Sequence, residues 1–440
     1  MAPVSTTRRS FLAAMAAAPL AAAARPNIIV ILADDLGWFE PGCYGNSFNE
    51  TPHLDKLAAQ GVRFTHAYSA APVCSPMRAS YMTGQYPARV GILDYLRADD
   101  PNHLSPDLAT LSKQFAAAGY ETALIGKWHL MGDYRTRRGG PNLHGYKHVI
   151  CSESSYIGPG YYFPPYQHMK EVTPRVEGEY LTDRLNQEAV EFLDRAAGRP
   201  FFLSLNHYAP HTRLAGKPEL VKRFAAKPGA GKTRNNPELA AMLASIDEGV
   251  GALMAKLSQL GIADRTLVLF TSDNGGETRV TTNGPLRGGK SQLYEGGIRV
   301  PLIASWPGRA QAGAVCATPV SSVDLYPSLL DAAGLAVPRG HTLDGVSWLP
   351  LLSRPQSRLK REALYWHYPL DKPHFLGGRS AGAVRQGDWK LIEFFDTGTA
   401  ELYHLKDDPG EQKDLAAANP VKVKELRAGL ARWRAATLKK

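Results

Sequence analysis

A short stretch near residue 74 combines residue types that can do chemistry. Cys74-Ser75-Pro76-Met77-Arg78 places a thiol, a hydroxyl and a guanidinium close together. Pro76 fits the first turn of a helix, where its missing N–H costs nothing. Cys74 would then lie at the positive end of a helix dipole, close to Arg78, and this setting favours a thiolate, a bound anion or both. A buried cysteine packed in a tight turn is the alternative interpretation.

Two pairs of oxygen ligands follow apolar segments that read as buried strands. The continuous apolar run at 27–33 ends at Asp34 and Asp35, and a second run ends just before Asp273 and Asn274. Open α/β sheets bind their ligands at the carboxyl ends of the strands, so we expect the two pairs to meet there. Oxygen ligands are typical of Ca²⁺ or Mg²⁺ rather than of zinc. For one pair alone, an aspartate cap on the next helix is the alternative.

Cationic and imidazole side chains follow other predicted strands or lie on a glycine-rich loop: Lys127, His129, His207, His211, Arg287 and Lys290. Lys127 and His129 point the same way if the strand continues, because strand side chains alternate. Taken alone, an exposed lysine beside a packed histidine explains that pair as well. Together with Cys74, such cations suit a dianion-like transition state, as in sulfuryl or phosphoryl transfer.

The periodicity predicts a fold of the α/β class. Buried strands alternate with helices over residues 25–352, which indicates a layered α/β/α domain with a mostly parallel central sheet. The chain then becomes polar and rich in proline and arginine, as at a domain boundary. Residues 353–440 predict a smaller C-terminal α+β domain with an antiparallel sheet and a closing helix over about 420–437. Helices are also predicted at 104–119 and 320–334.

Residues 131–180 show little periodicity and predict a long loop region. Six tyrosines in it predict a wall that faces a sugar: Tyr146, Tyr156, Tyr161, Tyr162, Tyr166 and Tyr180.

Composition limits the class of partner. The chain has 440 residues and a net charge of +10, but no run of five basic residues and no nucleic-acid-binding signature. A solvated basic surface or an anionic substrate explains the charge better than nucleic acid. The four cysteines fit no zinc pattern, and the sequence does not say whether two of Cys43, Cys151 and Cys316 form a disulfide.

The N-terminus resembles a twin-arginine export signal. Arg8 and Arg9 precede an alanine-rich apolar segment at 11–24, which is too short for a permanent membrane span. We therefore predict a signal peptide at 1–24, a mature chain from about Arg25, and export through the twin-arginine translocase to the periplasm or outside a bacterial cell. No permanent membrane anchor is expected. A disordered alanine-rich tail is the alternative.

The ordered set of motifs resembles the type I sulfatases of the alkaline phosphatase superfamily. The motifs are Asp34-Asp35-Leu36-Gly37, Cys74-Ser75-Pro76-Met77-Arg78, Gly126-Lys127-Trp128-His129, Ala209-Pro210-His211-Thr212, Ser272-Asp273-Asn274-Gly275 and Gly288-Gly289-Lys290. The resemblance implies an alkaline-phosphatase-like fold and oxidation of Cys74 to formylglycine by a formylglycine-generating or anaerobic maturation enzyme. It further implies a Ca²⁺ ion, with Mg²⁺ as the alternative, held by Asp34, Asp35, Asp273, Asn274 and residue 74.

The resemblance also implies roles for the remaining site residues. Lys127 and Lys290 would stabilise the sulfate oxygens, His211 would protonate the leaving alcohol, and His129 would act as base. Arg78 would orient the nucleophile. A further site residue is expected from 152–155, where the match is too loose to assign one.

The implied reaction removes sulfate from a sulfated polysaccharide or oligosaccharide. His207, Arg213 and Arg287 are candidate substrate contacts, and Arg213 stands where the family usually has proline. The alternatives are a phosphodiesterase or phosphonate monoester hydrolase of the same superfamily, an arylsulfatase and, more remotely, a non-catalytic sugar-binding relative.

Overall fold

The computed structural model describes residues 25–156, 161–196 and 198–438. The predicted export signal at 1–24 therefore lies outside the described residues. Within them, every helix is either too short or too polar to cross a lipid bilayer.

A large mixed sheet forms the centre of the molecule. Its strands are β1 Asn27–Ala33, β2 Val62–Tyr68, β3 Glu121–Gly126, β4 His148–Ile150, β5 Phe201–Asn206, β6 Thr266–Ser272, β7 Arg299–Ser305, β8 Ala314–Cys316 and β9 Val320–Ser321. The strand order is β4-β3-β5-β1-β6-β7-β2-β8, with β9 paired to β2. β7 runs antiparallel to both neighbours, and the other pairs are parallel.

The register of the central strands aligns their carboxyl ends. Every residue of β1 is buried, as its apolar sequence predicts. Leu32 pairs with Asn206 of β5, and Ala33 pairs with Ser272 of β6. The residues that follow β1, β5 and β6 therefore emerge side by side at one edge of the sheet.

Helices cover both faces of this sheet. The helices of the described chain are α1 Pro52–Ala59, α2 Cys74–Thr83, α3 Pro87–Val90, α4 Leu111–Ala117, α5 Leu181–Ala196, α6 Pro218–Ala225, α7 Pro237–Gln259, α8 Glu295–Ile298, α9 Leu325–Ala332 and α10 Pro420–Thr437. Apolar side chains of α2, α4 and α9 pack on one face of the sheet, and those of α1, α5 and α7 pack on the other. This arrangement confirms the predicted α/β/α layers.

A second sheet follows in the C-terminal part of the chain. It is antiparallel, with strands β10 Leu364–Tyr368, β11 Ala381–Gln386, β12 Trp389–Phe394 and β13 Ala400–His404 in that order. Leu426 and Leu430 of α10 pack on it beside Val384 and Leu391. The antiparallel sheet and closing helix are confirmed, while the exact division at 352 and 353 stays a prediction.

Two predicted helices are shorter than expected. The helix predicted at 104–119 begins only at Leu111, since Pro106 has no N–H to donate and Thr110 is extended. The helix predicted at 320–334 gives up its first residues to β9 and to a 3-10 turn, and α9 begins at Leu325.

The tyrosine-rich region is largely part of the core. Four of the six tyrosines named in the prediction are buried: Tyr146, Tyr162, Tyr166 and Tyr180. The prediction of a sugar-facing tyrosine wall is therefore wrong for these four, because their rings fill the interior between the segment and the sheet. All four cysteines are unpaired within the described chain.

Candidate active site

Carboxylates from β1 and β6 meet at the carboxyl edge of the sheet. The Asp35 backbone N–H donates to Asp273 Oδ1 at 3.0 Å, and Asn274 Nδ2 donates to Asp35 Oδ1 at 2.8 Å. Asp34, Asp273 and Asn274 are completely buried. The two pairs of oxygen ligands predicted from distant parts of the sequence therefore form one cluster.

The cluster has the donor set of a hard cation site. Ligand atoms of Asp34, Cys74 and Asp273 lie within 4.8 Å of one another. Asn274 Oδ1 is buried and has no hydrogen-bond partner among the described residues. Buried acceptors in folded proteins normally have a partner, and a cation would provide one here. Oxygen ligands that converge on one point are typical of Ca²⁺ or Mg²⁺ sites. The residues present therefore fit a divalent cation.

Helix α2 brings Cys74 and Arg78 to this cluster. The Cys74 thiol lies 3.6 Å from Asp34 Oδ1. Arg78 donates to Asp273 Oδ2 at 2.7 Å and to the Lys127 carbonyl at 3.1 Å. Burial raises the pKa of Cys74 to about 12, although Lys127 and Lys290 oppose this rise. Burial therefore favours the thiol over the thiolate that the sequence led us to expect.

Two buried lysines complete the charge balance. Lys127 Nζ lies 2.5 Å from Asp34 Oδ2, and Lys290 Nζ lies 2.7 Å from Asp35 Oδ2. Burial alone would raise the pKa of Asp34, but Lys127 and Arg78 outweigh it and hold the pKa below its usual value. Each carboxylate of the cluster therefore has a cation against it.

Two histidines present a free ring nitrogen to the site. His129 Nε2 donates to the Leu96 carbonyl at 3.0 Å, which leaves the buried Nδ1 without a partner among the described residues. His211 Nδ1 donates to the Thr212 carbonyl at 2.6 Å, and its Nε2 lies 3.7 Å from Asp35 Oδ2. Burial lowers the pKa of both rings, that of His211 to about 3, so both are neutral near pH 7.

Glu153 holds the turn that carries Lys127 and His129. Its carboxylate accepts the backbone N–H groups of Trp128 at 2.9 Å and of His129 at 2.5 Å. His129 has a positive φ of 53°, a conformation that costs energy in a non-glycine residue. The stretch 152–155 was expected to supply a site residue, and Glu153 reaches the site from it as a support for the backbone.

A cavity of about 680 Å³ opens above the cluster. Its lining includes Cys74, Tyr95, Lys127, His129, Tyr156, His211, Thr212, Arg213, Glu277, Arg279, Lys290, His374 and Phe375. Cys74, Lys127, His129, Glu277 and Lys290 are buried in its wall, whereas Arg213 and Phe375 are exposed. A substrate can therefore reach residue 74 from solvent through a mixed polar and aromatic passage.

Comparison with known proteins identifies the family. A family model described as Sulfatase matches residues 26–335, which is more than half of the chain. The chain belongs to the sulfatase family. A second model, the C-terminal part of N-sulphoglucosamine sulphohydrolase, matches residues 289–435 of this sulfatase.

Relatives of this sulfatase match along almost its whole length. It is 34% identical to N-acetylgalactosamine-6-sulfatase of Canis lupus familiaris, over 95% of this chain and 88% of that protein. It is 33% identical to arylsulfatase A of Homo sapiens, over 95% of this chain and 89% of that protein. A crystal structure of Ps i-CgsB in complex with k-i-k-neocarrahexaose has a TM-score of 0.82 at 32% identity and 93% coverage of both chains. The protein is thus a sulfuric ester hydrolase with an alkaline-phosphatase-like fold.

Of the three candidate substrate contacts, only Arg213 lies at the cavity of this sulfatase. His207 is 1% exposed, and neither ring nitrogen has a partner among the described residues. Arg287 donates to the Tyr403 hydroxyl at 2.8 Å and to the Glu411 carbonyl at 3.1 Å. The structure therefore places His207 in the interior and Arg287 against the C-terminal sheet, so neither position supports substrate contact.

Several cavity residues carried no signal in the sequence. Tyr95, Glu277, Arg279, His374 and Phe375 belong to no motif. Their positions depend on how loops and the C-terminal sheet pack around the site.

Proposed function

We propose that this sulfatase removes sulfate from a sulfated carbohydrate, with residue 74 acting as formylglycine beside a Ca²⁺ ion. The observation that carries the proposal is a buried cluster of oxygen ligands around Cys74, at the bottom of a cavity lined by lysines and neutral histidines. The cavity is large enough for a sugar and is open to solvent. The name N-acetylgalactosamine-6-sulfatase and the carrageenan hexasaccharide bound to Ps i-CgsB support a carbohydrate over a small aryl sulfate.

Residue 74 supplies the nucleophile in this proposal. Hydrated formylglycine offers one hydroxyl to attack sulfur and a second hydroxyl whose deprotonation allows sulfate to leave. The encoded thiol cannot play this part, because a cysteine carries no second hydroxyl whose deprotonation would allow sulfate to leave. Arg78 fixes the start of α2 through Asp273 and the Lys127 carbonyl, and so orients residue 74.

The metal ligands are proposed to be Asp34, Asp35, Asp273, Asn274 and residue 74. A bound Ca²⁺ would lower the pKa of a hydroxyl at residue 74 and offset the negative charge of the sulfate group. Asn274 Oδ1 has no other partner among the described residues, and so it is free to bind the ion. The same oxygen ligands suit Mg²⁺, which is the alternative.

The lysines are proposed to stabilise negative charge, and the histidines are proposed to transfer protons. Lys127 and Lys290 lie where they can stabilise the sulfate oxygens in the transition state. His129 has its unpartnered Nδ1 at the site and is suited to accept a proton from residue 74. His211 is neutral in the free enzyme, and the negative charge of a bound sulfate ester would favour its protonated form, which can donate to the leaving alcohol.

Maturation must precede complete folding. Every residue of α2 is buried, including Cys74 and Arg78. A formylglycine-generating or anaerobic maturation enzyme therefore has to meet this segment in a chain that is still unfolded. Export through the twin-arginine translocase stays a prediction, tested by locating the protein before and after Arg8 and Arg9 are both replaced by lysine.

The experiment that tests the function begins with mass spectrometry of the peptide that contains residue 74. We expect the aldehyde in protein from a host with the maturation enzyme, and only thiol would contradict the mechanism. The matured protein should then release sulfate from sulfated mono- and oligosaccharides much faster than phosphate from matched phosphate esters. A preference for phosphate would instead favour the phosphodiesterase or phosphonate hydrolase alternative.

A further inference from the structure

A loop of the C-terminal sheet reaches the cavity. Residues 369–380 connect β10 to β11, and His374 and Phe375 at the tip of this loop line the cavity wall. All residues of the catalytic cluster lie at or before Lys290 in the sequence. One wall of the cavity is therefore built by a part of the chain that contributes nothing to the catalytic cluster.

Close packing against the Lys290 loop fixes the position of this tip. Gln292 Nε2 donates to the Leu376 carbonyl at 3.1 Å. A Cβ on Gly378 would lie 2.1 Å from the Ser291 carbonyl oxygen, so only glycine allows this approach. The His374 N–H also donates to the Gly378 carbonyl at 2.8 Å, which closes a tight turn. His374 is therefore held at a set position relative to Lys290.

His374 presents a hydrogen-bond donor without an acceptor. The ring is 8% exposed, and its Nδ1 accepts the Leu376 N–H at 3.1 Å. A neutral imidazole with an accepting Nδ1 carries its proton on Nε2. This Nε2 is buried and has no partner among the described residues. A buried donor at a cavity wall calls for an acceptor, and the ligand of the cavity can supply one.

Next to His374, an aromatic ring and an arginine form the rim. Phe375 is 70% exposed, and the Arg279 guanidinium lies 5.2 Å from its ring centroid. Arg279 also pairs through its Nε with Glu277, a carboxylate that is 3% exposed. This pair fixes one edge of the guanidinium and leaves the other N–H groups free to bind an anion.

The positive charge available to a ligand is concentrated at this rim. Lys127 and Lys290 are already matched by Asp34 and Asp35. Arg213 is exposed and has no hydrogen bond or ion pair among the described residues. An anionic group some distance from the scissile ester would therefore find Arg213 without a counter-ion among the described residues. It would also find free N–H groups on the Arg279 guanidinium, whose charge Glu277 partly offsets.

We propose that His374, Arg279 and Phe375 form a second binding site for the substrate, which takes an anionic sugar next to the sugar that loses its sulfate. His374 Nε2 and Arg279 bind the second sulfate or carboxylate, and the Phe375 ring packs against the apolar face of the sugar that carries it. The inference rests on the proposed carbohydrate substrate and narrows it to oligosaccharides with a second negative charge.

The test measures binding in the Cys74→Ala protein, where turnover cannot interfere. Dissociation constants are measured by calorimetry for two matched pairs of tetrasaccharides, one pair from carrageenan and one from carboxyl-reduced chondroitin. The members of a pair carry one or two sulfates per disaccharide, so they differ only in whether the neighbouring sugar is charged. We expect the doubly sulfated member of at least one pair to bind about tenfold more tightly, as one charge-assisted hydrogen bond can provide. Equal affinity within both pairs would overturn the proposal.

Further substitutions in the Cys74→Ala protein show which residues cause the preference for the doubly sulfated tetrasaccharide. His374→Phe and Arg279→Gln should each remove most of the preference, whereas His374→Gln, which retains a donor, should keep part of it. Phe375→Ala should weaken both members of a pair by a similar factor, and Phe375→Trp should not. Arg138→Gln is the matched control, since Arg138 is exposed and does not line the cavity. A preference that survives both His374→Phe and Arg279→Gln would also overturn the proposal.

Failure of the proposed function would look different. In that case the matured wild-type protein would release no sulfate from any carbohydrate, whatever the affinities of the Cys74→Ala protein for the two tetrasaccharides of a pair.

Discussion

Two buried clusters of charged residues lie in this molecule, and they differ in what surrounds them. The catalytic cluster, formed by Asp34, Asp35, Asp273, Lys127 and Lys290, lies at the bottom of a cavity. The junction cluster lies where α8 meets the C-terminal sheet. In it, Lys390 Nζ is 2.9 Å from Glu295 Oε1 and 2.8 Å from Glu411 Oε1.

The junction cluster is closed on itself. The Tyr68 hydroxyl donates to Glu295 Oε2 at 2.7 Å, and the Glu295 backbone N–H donates to Glu411 Oε2 at 2.6 Å. Glu295, Lys390 and Glu411 are completely buried, and none of them lines the cavity. Beside the catalytic cluster, by contrast, Asn274 Oδ1 and His129 Nδ1 have neither a hydrogen bond nor an ion pair among the described residues. Glu411 Oε1 also lacks a well-aligned hydrogen bond, but it lies 2.8 Å from Lys390 Nζ.

The difference separates two uses of buried charge. Ions that satisfy one another join parts of a fold, and removing one of them leaves an uncompensated charge. Charged groups that lie at a cavity beside unpartnered polar atoms can instead bind a ligand. Substitutions in the catalytic cluster should therefore change activity, and substitutions in the junction cluster should change stability.

The largest effect is expected from Cys74→Ala. Because it removes the proposed nucleophile, sulfate release should fall by at least about 10⁴-fold, while the melting temperature should change little. Sulfate release and thermal denaturation are measured on the same preparation. The matched control is Cys316→Ala, a buried cysteine on β8 that does not line the cavity, which should retain activity. If Cys74→Ala kept its activity, the catalytic cluster could not be distinguished from the junction cluster by its role in turnover.

A large effect on stability is expected from Lys390→Met. This change leaves two buried carboxylates without their shared cation, and the free energy of unfolding should fall by about 3–5 kcal/mol. Sulfate release per folded molecule should stay within a few-fold of wild type. Urea unfolding measures the loss, and Lys390→Met combined with Glu411→Gln should recover part of it. A folded Lys390→Met protein with normal stability and reduced turnover would show that the junction cluster serves activity instead of stability.

Removal of the proposed metal ion should affect the catalytic cluster and leave the junction cluster unchanged. A chelator should abolish turnover and lower the melting temperature, and Ca²⁺ at about 100 times its dissociation constant should restore about 2.7 kcal/mol of stability. The shift in melting temperature on adding Ca²⁺ should persist in Glu411→Gln and be lost in Asn274→Ala. An equal shift in both variants would mean that the ion binds elsewhere.

The smallest effect concerns pH. Burial raises the pKa of Glu411 to about 7 from a usual value of 4.5. The folded protein therefore binds this proton more tightly than the unfolded chain, so the free energy of unfolding should fall as pH rises from about 4.5 to about 7, by about 2 kcal/mol. Glu411→Gln should flatten this slope in urea titrations between these pH values. An unchanged slope would show that another group is responsible.

Sequence patterns were sufficient for the centre of the molecule. The runs before Asp34 and Asp273 are apolar enough to be buried on both faces, and their polar ends then have to meet at one edge of a parallel sheet. The motif around Cys74 predicted its place at the start of α2. What local patterns could not show was that burial would keep the Cys74 thiol protonated.

Prediction was weaker where position depends on packing between distant segments. His207 and His211 follow the same strand, and only the path of the turn decides that His211 reaches the cavity while His207 is buried. His374 and Phe375 are in an irregular loop with no periodicity. They reach the cavity because the C-terminal sheet docks beside Lys290, and neighbouring residues in the sequence do not indicate this.

The close contact between Gly378 and the Ser291 carbonyl has a consequence for how such enzymes diversify. The segment that carries Lys290 and the loop that we propose binds the neighbouring sugar are encoded in separate stretches of the gene, yet they touch in the folded protein. Mutation or recombination within the β10–β11 loop can therefore change which substrate a descendant enzyme prefers and leave its catalytic residues unchanged, provided that position 378 stays glycine.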